Sequence, residues 1–172
     1  MERVKIVLDA DVLIHFSKAE RLSQLPEIFP EYDYVVLSTV YDEIKSLQRQ
    51  LDRQIYFLKN ISKVDFVPVG EMRREYARLS SRYGKGESAC LTYCRFTQNV
   101  IGSSNLRDIT EYCEKQKIVY LTTLDFLYYA YVRGKMTEEE CTQFIQAVRS
   151  KNSKLPEVKI SEYVPHQCCS SM

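Results

Sequence analysis

The chain has 172 residues, of which 45% are hydrophobic and 27% charged, and a formal net charge of +1. That describes one globular domain with a real core. It excludes a global basic field, so any contact with nucleic acid must come from a local patch. No apolar run is long enough to span a bilayer, and no signal peptide is read at the N-terminus. The six cysteines (Cys90, Cys94, Cys113, Cys141, Cys168 and Cys169) contain no C-x-x-C pair, and are read as reduced thiols of a cytoplasmic protein.

The chain opens on a short β-branched run, Val4–Leu8, that ends abruptly in acid at Asp9 and Asp11. Such a run reads as a strand buried on both faces of a parallel sheet. Asp9 then falls where the strand stops and a helix begins, the edge at which open α/β sheets collect ligands. Both acids also have a plain reading, Asp9 as an N-cap and Asp11 as a complement to the helix dipole. A short helix carries Leu13, Ile14 and Phe16, another lies near Arg21–Leu25, and Pro26 and Pro30 interrupt the pattern.

Further strands are expected at Tyr34–Leu37, Val64–Val67, Asn99–Gly102 and Ile118–Leu121, with helical patterns between them. Five short apolar strands separated by helices imply a five-stranded parallel sheet with helices on both faces, a three-layer α/β/α domain over residues 1–150. The first strand should be interior, between the second and the fourth. Residues 151–172 form a tail in which the alternation over Val158–Val164 suggests one edge strand.

Ser38 or Thr39 caps the helix holding Asp42 and Glu43. The helix over Glu71–Arg82 carries Arg74, Arg78 and Arg82 at i, i+4 and i+8, a basic stripe that Glu71 and Glu75 are placed to neutralise. Gly84-Lys85-Gly86 bends the chain into a helix with Glu87 in its first turn. After the fourth strand, Ser103-Ser104-Asn105 precedes a helix, and Asn105 with Asp108 resembles a capping pair. After the fifth, Asp125 opens a tyrosine-rich helix that stops at Gly134. Its segment Phe126–Val132 is apolar nearly all round, so it is buried or covered by a partner. Thr137 and Glu140 form a capping box for the last helix.

The acids at strand ends and neighbouring helix starts are therefore Asp9, Asp11, Glu43, Glu87 and Asp125. They converge on one edge of one sheet and suit a hard divalent cation. No nucleophile elbow, phosphate-binding loop or dinucleotide fingerprint competes. His15 falls on an apolar helix and reads as packed rather than catalytic.

These residues resemble the PIN domain, a fold of metal-dependent ribonucleases and of toxins in toxin–antitoxin pairs. Val7-Leu8-Asp9-Ala10-Asp11 is similar to the family's opening motif and Asp42-Glu43-Ile44 to its second acid. Gly84-Lys85-Gly86-Glu87-Ser88-Ala89 is similar to a Gly-x-Gly-Glu-Ala segment of one branch, and Thr122-Thr123-Leu124 to that branch's last part. The resemblance implies a divalent-metal-dependent endoribonuclease using Mg²⁺ or Mn²⁺. Asp9, Glu43 and Glu87 would be catalytic, and Asp11, Asn105 and Asp125 would complete the metal site. Arg74, Arg78, Arg82, Lys85 and Ser104 would hold RNA. The implied partners are RNA, an antitoxin protein in the toxin case, and a second copy of the chain. One departure stands out: where the family carries an aspartate or a pair, this chain has Asn105 and Leu106. That favours an alternative, a weakened PIN-like domain that binds RNA or a protein without cleaving.

Overall fold

The computed structural model describes residues 3–167, so Cys168 and Cys169 lie outside the described residues. Five strands form one sheet: β1 (Lys5–Leu8), β2 (Asp33–Leu37), β3 (Ser62–Val64), β4 (Val100–Gly102) and β5 (Tyr120–Leu121). Their order is β3-β2-β1-β4-β5 and every pairing is parallel. β1 is interior, as its unbroken apolar run requires, with Ile6 opposite Tyr34 on one side and Val100 on the other.

Each strand end feeds a helix. β1 leads into α1 (Ala10–Lys18), and α2 (Leu25–Ile28) precedes β2. Pro26 sits in the first turn of α2 rather than breaking it, because a proline there gives up only an N–H that has no helical partner. β2 runs directly into α3 (Ser38–Glu43), and α4 (Gln48–Asp52) continues as a wider π-type turn over Arg53–Leu58. Then come α5 (Gly70–Ser80), α6 (Lys85–Thr97), α7 (Leu106–Gln116), α8 (Thr123–Val132) and α9 (Glu138–Ser150). α6 packs against α3, α5 and α7, while α8 packs against α2 and α9, and α1 against α9. The sheet lies between these helices as the middle layer of an α/β/α sandwich. Phe16, Phe126 and Phe144 interlock edge-to-face in the core, with Phe16–Phe126 and Phe16–Phe144 centroids 6.1 and 4.8 Å apart.

Two expectations shift, and a third resolves. β3 sits at Ser62–Val64, not Val64–Val67, and Val67 is 76% exposed. The tail forms no strand over 158–164. Instead it makes a 3₁₀ turn at Ile160–Glu162, and its buried Ile160 packs the turn against α8 and α9. Finally, α8 is not an unpartnered face. Phe126, Leu127, Tyr129 and Ala130 are buried within the monomer, while Tyr128 and Tyr131 are half-buried and Val132 is exposed.

Candidate metal centre

Parallel strands put their carboxyl ends, and the helix starts that follow, on one edge. Asp9 is buried there as the N-cap of α1, where its Oδ1 accepts from Ala10 N at 2.8 Å. Asp11, in the first turn, accepts from Val12 N at 2.7 Å with one oxygen and from Ser104 N at 2.8 Å with the other. The capping reading of Asp9 and the first-turn reading of Asp11 are therefore both correct, and they do not exhaust the two acids. Capping places Asp9 and Asp11 side by side at the end of β1, and Asp11 also ties the loop after β4 to that end.

Glu87 reaches the same edge from the first turn of α6. Its Oε1 accepts from Asn105 Nδ2 at 3.0 Å, and the same amide nitrogen donates to Asp108 Oδ2 at 2.7 Å. Asn105 makes no side-chain cap hydrogen bond to α7, contrary to the capping expectation. It bridges two carboxylates, with its NH₂ group rather than its oxygen turned toward them. Asp108 is the residue that sequence reasoning passed over as a cap partner. Its spacing of i+3 from Asn105 was the signal available, since that places it one helical turn on along the same face.

Glu43 stands at the rim. Its Oε1 accepts from Gly86 N at 2.8 Å. A Cβ at position 86 would run into Glu43 Oε2 and come within 3.2 Å of Val40 Cγ2, so any side chain there would push the Glu43 carboxylate off its seat on Gly86 N. The Glu43–Gly86 hydrogen bond seats the end of α3 against the start of α6.

The electrostatics of the group are one-sided. Burial, then the charge of Asp11, then that of Glu87 hold the Asp9 carboxyl well above the usual carboxylate range. Burial raises Asp11, against the hydrogen bonds it accepts from Ser104 and Val12. Glu87 is pushed up to about 7, first by burial and then by Asp108 and Asp11, with Glu43 a smaller influence. Among the described residues no Lys, Arg or His ion pair reaches Asp9, Asp11, Glu43, Glu87 or Asp108.

Asp125 does not join this group. It is fully buried, and its Oδ2 accepts from Thr122 N and Oγ1 at 2.8 and 2.9 Å in the capping box of α8. Its Oδ1 accepts from Tyr163 Oη at 2.9 Å and His166 N at 3.1 Å, and His166 Nδ1 lies 3.2 Å from both oxygens. Its carboxylate is taken up by the tail, and nothing leaves it turned toward Asp9.

The other expected residues divide similarly. Arg78 is spent on Glu75, which also pairs with Arg95 at 2.7 Å. Arg82 lies beyond the end of α5, so the three arginines are not one helix face. Arg74, Arg82 and Lys85 are exposed. Ser104 keeps its hydroxyl on Thr123 rather than free for a phosphate, 2.7 Å from Thr123 Oγ1 and accepting from Thr123 N. His15 completes that chain at 2.7 Å from Thr123 Oγ1, and burial lowers it to about 4, so it is a neutral packed histidine. The four described cysteines are free and buried.

Among the described residues no three His, Cys, Asp or Glu side chains stand ready to grip a bare metal ion. A hydrated cation asks for less, because Mg²⁺ keeps several waters and takes one or two protein carboxylates. The donor set is all hard oxygen, and its buried negative charge has no counter-ion among the described residues. Both properties fit a divalent cation of that kind. A larger cavity, about 910 Å³, opens beside Ser17, Gln50 and Gln54 at the other end of α1, and it contains none of these acids.

Comparison with known proteins agrees with this architecture. A search of curated proteins finds no match. A protein-family model for the PIN domain matches residues 5–163, nearly the whole chain and including the tail as far as Tyr163. With its first strand interior and its acids gathered at the carboxyl edge of the sheet, the chain belongs to the PIN-domain family.

Proposed function

We propose that this PIN domain is a divalent-metal-dependent endoribonuclease whose metal is held at the carboxyl edge of β1. The observation that supports the reading is the cluster of buried Asp9 and Glu87 with half-buried Asp11. The charges acting on Asp9 and Glu87 are other carboxylates, and no cation among the described residues answers them. Buried like charges are costly and persist where a function needs them. Asp9 and Glu87 would hold Mg²⁺ or Mn²⁺, with Asp11 adding negative charge beside Asp9, and with Glu43 at the rim. A metal bound there lowers the pKa of a water and neutralises charge on the scissile phosphate.

The chain's own residues set the frame. Asp9 is fixed by the start of α1, Asp11 straps the loop after β4, and the Glu43–Gly86 contact locks α3 to α6. Arg74, Arg82 and Lys85 are the basic groups left to position a phosphate backbone. Arg78 is excluded from that role by Glu75. A role as a toxin with a partner antitoxin belongs to the same reading.

One observation favours a second reading. Asn105 stands in the site as a neutral amide and already satisfies Glu87 and Asp108. That arrangement suits a domain that binds RNA with little cleavage. The two readings separate on generic single-stranded RNA with Mn²⁺. The nuclease reading expects cleavage that stops on chelation and falls at least about 100-fold in Asp9→Asn, the scale of a lost transition-state charge contact. Binding without Mn²⁺-dependent cleavage would establish the second reading instead.

A further inference from the structure

Beside the acid cluster lies a cavity of about 320 Å³ that the cluster does not use. Its floor is apolar, from Leu106, Leu124 and Val158, and Tyr163, His166 and Lys154 stand at its walls. Ser104 lines it as well, and the Ser104 backbone N–H is the donor to Asp11. Ser104 therefore belongs both to the lining of the cavity and to the hydrogen bonds of the acid cluster. The far wall of the cavity is the tail, residues 154–166, which is folded back onto α8.

The tail is held there by the buried Asp125 carboxylate. Tyr163 donates to Asp125 Oδ1, and the His166 backbone N–H and Nδ1 face the same carboxylate. With Nδ1 turned to Asp125, the other ring nitrogen of His166 has no protein partner among the described residues. Lys154 is exposed and forms no ion pair among the described residues. An apolar slot with an oriented imidazole, a tyrosine and an ammonium at its mouth is the chemistry that receives an unpaired base with its phosphate. The volume lies at the lower end of the range for small-molecule sites.

We propose that this cavity is a nucleobase subsite, in which the tail holds one unpaired base of the RNA strand whose phosphate lies at the acid cluster. Asp125 is a positioning residue for it, acting through His166 and Tyr163. The inference rests on reading the acid cluster as the phosphodiester site, and adds to it a source of base preference.

The test uses the full chain and the four nucleoside 5′-monophosphates, with ribose 5-phosphate as the base-free control, titrated by calorimetry with and without Mn²⁺. At least one nucleotide should bind more tightly than ribose 5-phosphate, and the four should differ. Val158→Trp, which fills the cavity, and His166→Ala, which removes the oriented ring, should each weaken that binding at least about tenfold, the scale of one lost base–aromatic stack. Mn²⁺ affinity at the acid cluster should stay unchanged in both variants. Equal binding of all four nucleotides and the control, or full binding in both folded variants, would overturn the proposal. Mn²⁺ binding without any nucleotide binding would sink the subsite alone. Base-dependent binding without Mn²⁺ binding would sustain the subsite and sink the nuclease reading.

Discussion

Asn105 carries the sharpest consequence at the scale of single residues. Its amide donates to Glu87 and Asp108, so it neutralises part of a buried negative cluster by hydrogen bonding. Asn105→Asp removes that donor and adds a third carboxylate between two others. The metal-free protein should lose about 1–3 kcal/mol, the cost of leaving buried polar groups unanswered, and denaturation in chelator would show it. The same variant should bind Mn²⁺ more tightly, because a charge replaces a neutral amide where water screens poorly. Opposite signs in the two measurements are the signature. A variant that lost stability and gained no affinity would place Asn105 outside the cation's reach. The bridging role was not legible in sequence, where an asparagine three residues before an aspartate at a helix start reads as a cap. Only the arrival of Glu87 from α6, 18 positions away, redirects the amide.

Elements were easier to read than the direction of their side chains. The strands were legible because a parallel strand covered on both faces needs an unbroken apolar run, as in Ile6–Leu8 and Val35–Leu37. β3 slipped because Val67 and Val69 look like strand residues yet are 76% and 72% exposed. The tail's alternation had another cause, the docking of Ile160 on α8 and α9 rather than sheet pairing. Asp125 shows the limit clearly. Its position after β5 was legible, but position alone does not say whether a carboxylate faces the sheet edge or its own helix. The structure answers that with a capping box, in which Thr122 and Asp125 each accept from the other's backbone N–H. Asp125→Ala should therefore cost about 1–3 kcal/mol, the range for a lost cap together with unsatisfied buried donors. Mn²⁺ affinity should not change. A loss of Mn²⁺ binding at unchanged stability would return Asp125 to the metal site.

Over the whole molecule, the cluster makes stability depend on pH in an unusual direction. Asp9, Asp11 and Glu87 are all raised on folding, Glu87 to about 7. Between the usual carboxylate range and those raised values the folded state binds more protons than the unfolded one. The metal-free protein should therefore be more stable near pH 5 and lose stability as pH rises through 7, by up to about 1.4 kcal/mol per pH unit for each group in transition. A bound cation answers the charge, so saturating Mn²⁺ should flatten the slope and raise the midpoint most at high pH. Chemical denaturation from pH 5 to 8, with and without Mn²⁺, reads both effects. A metal-free stability that rose over that interval would mean the acids are satisfied by something other than protons or metal.

The most direct test of the central claim is a Mn²⁺ titration followed by calorimetry at pH 7.5, on the wild type and Asp9→Asn. Asparagine caps a helix as well as aspartate does, so α1 should be kept and one buried charge relieved. The expected result is one Mn²⁺ per chain for the wild type, at least about tenfold weaker binding in the variant as one charged ligand is lost, and a variant no less stable without metal. The contradicting result is equal Mn²⁺ binding, or none, in both proteins, with Asp9→Asn markedly destabilised. Asp9 would then be a structural cap, and the edge of β1 would hold no metal.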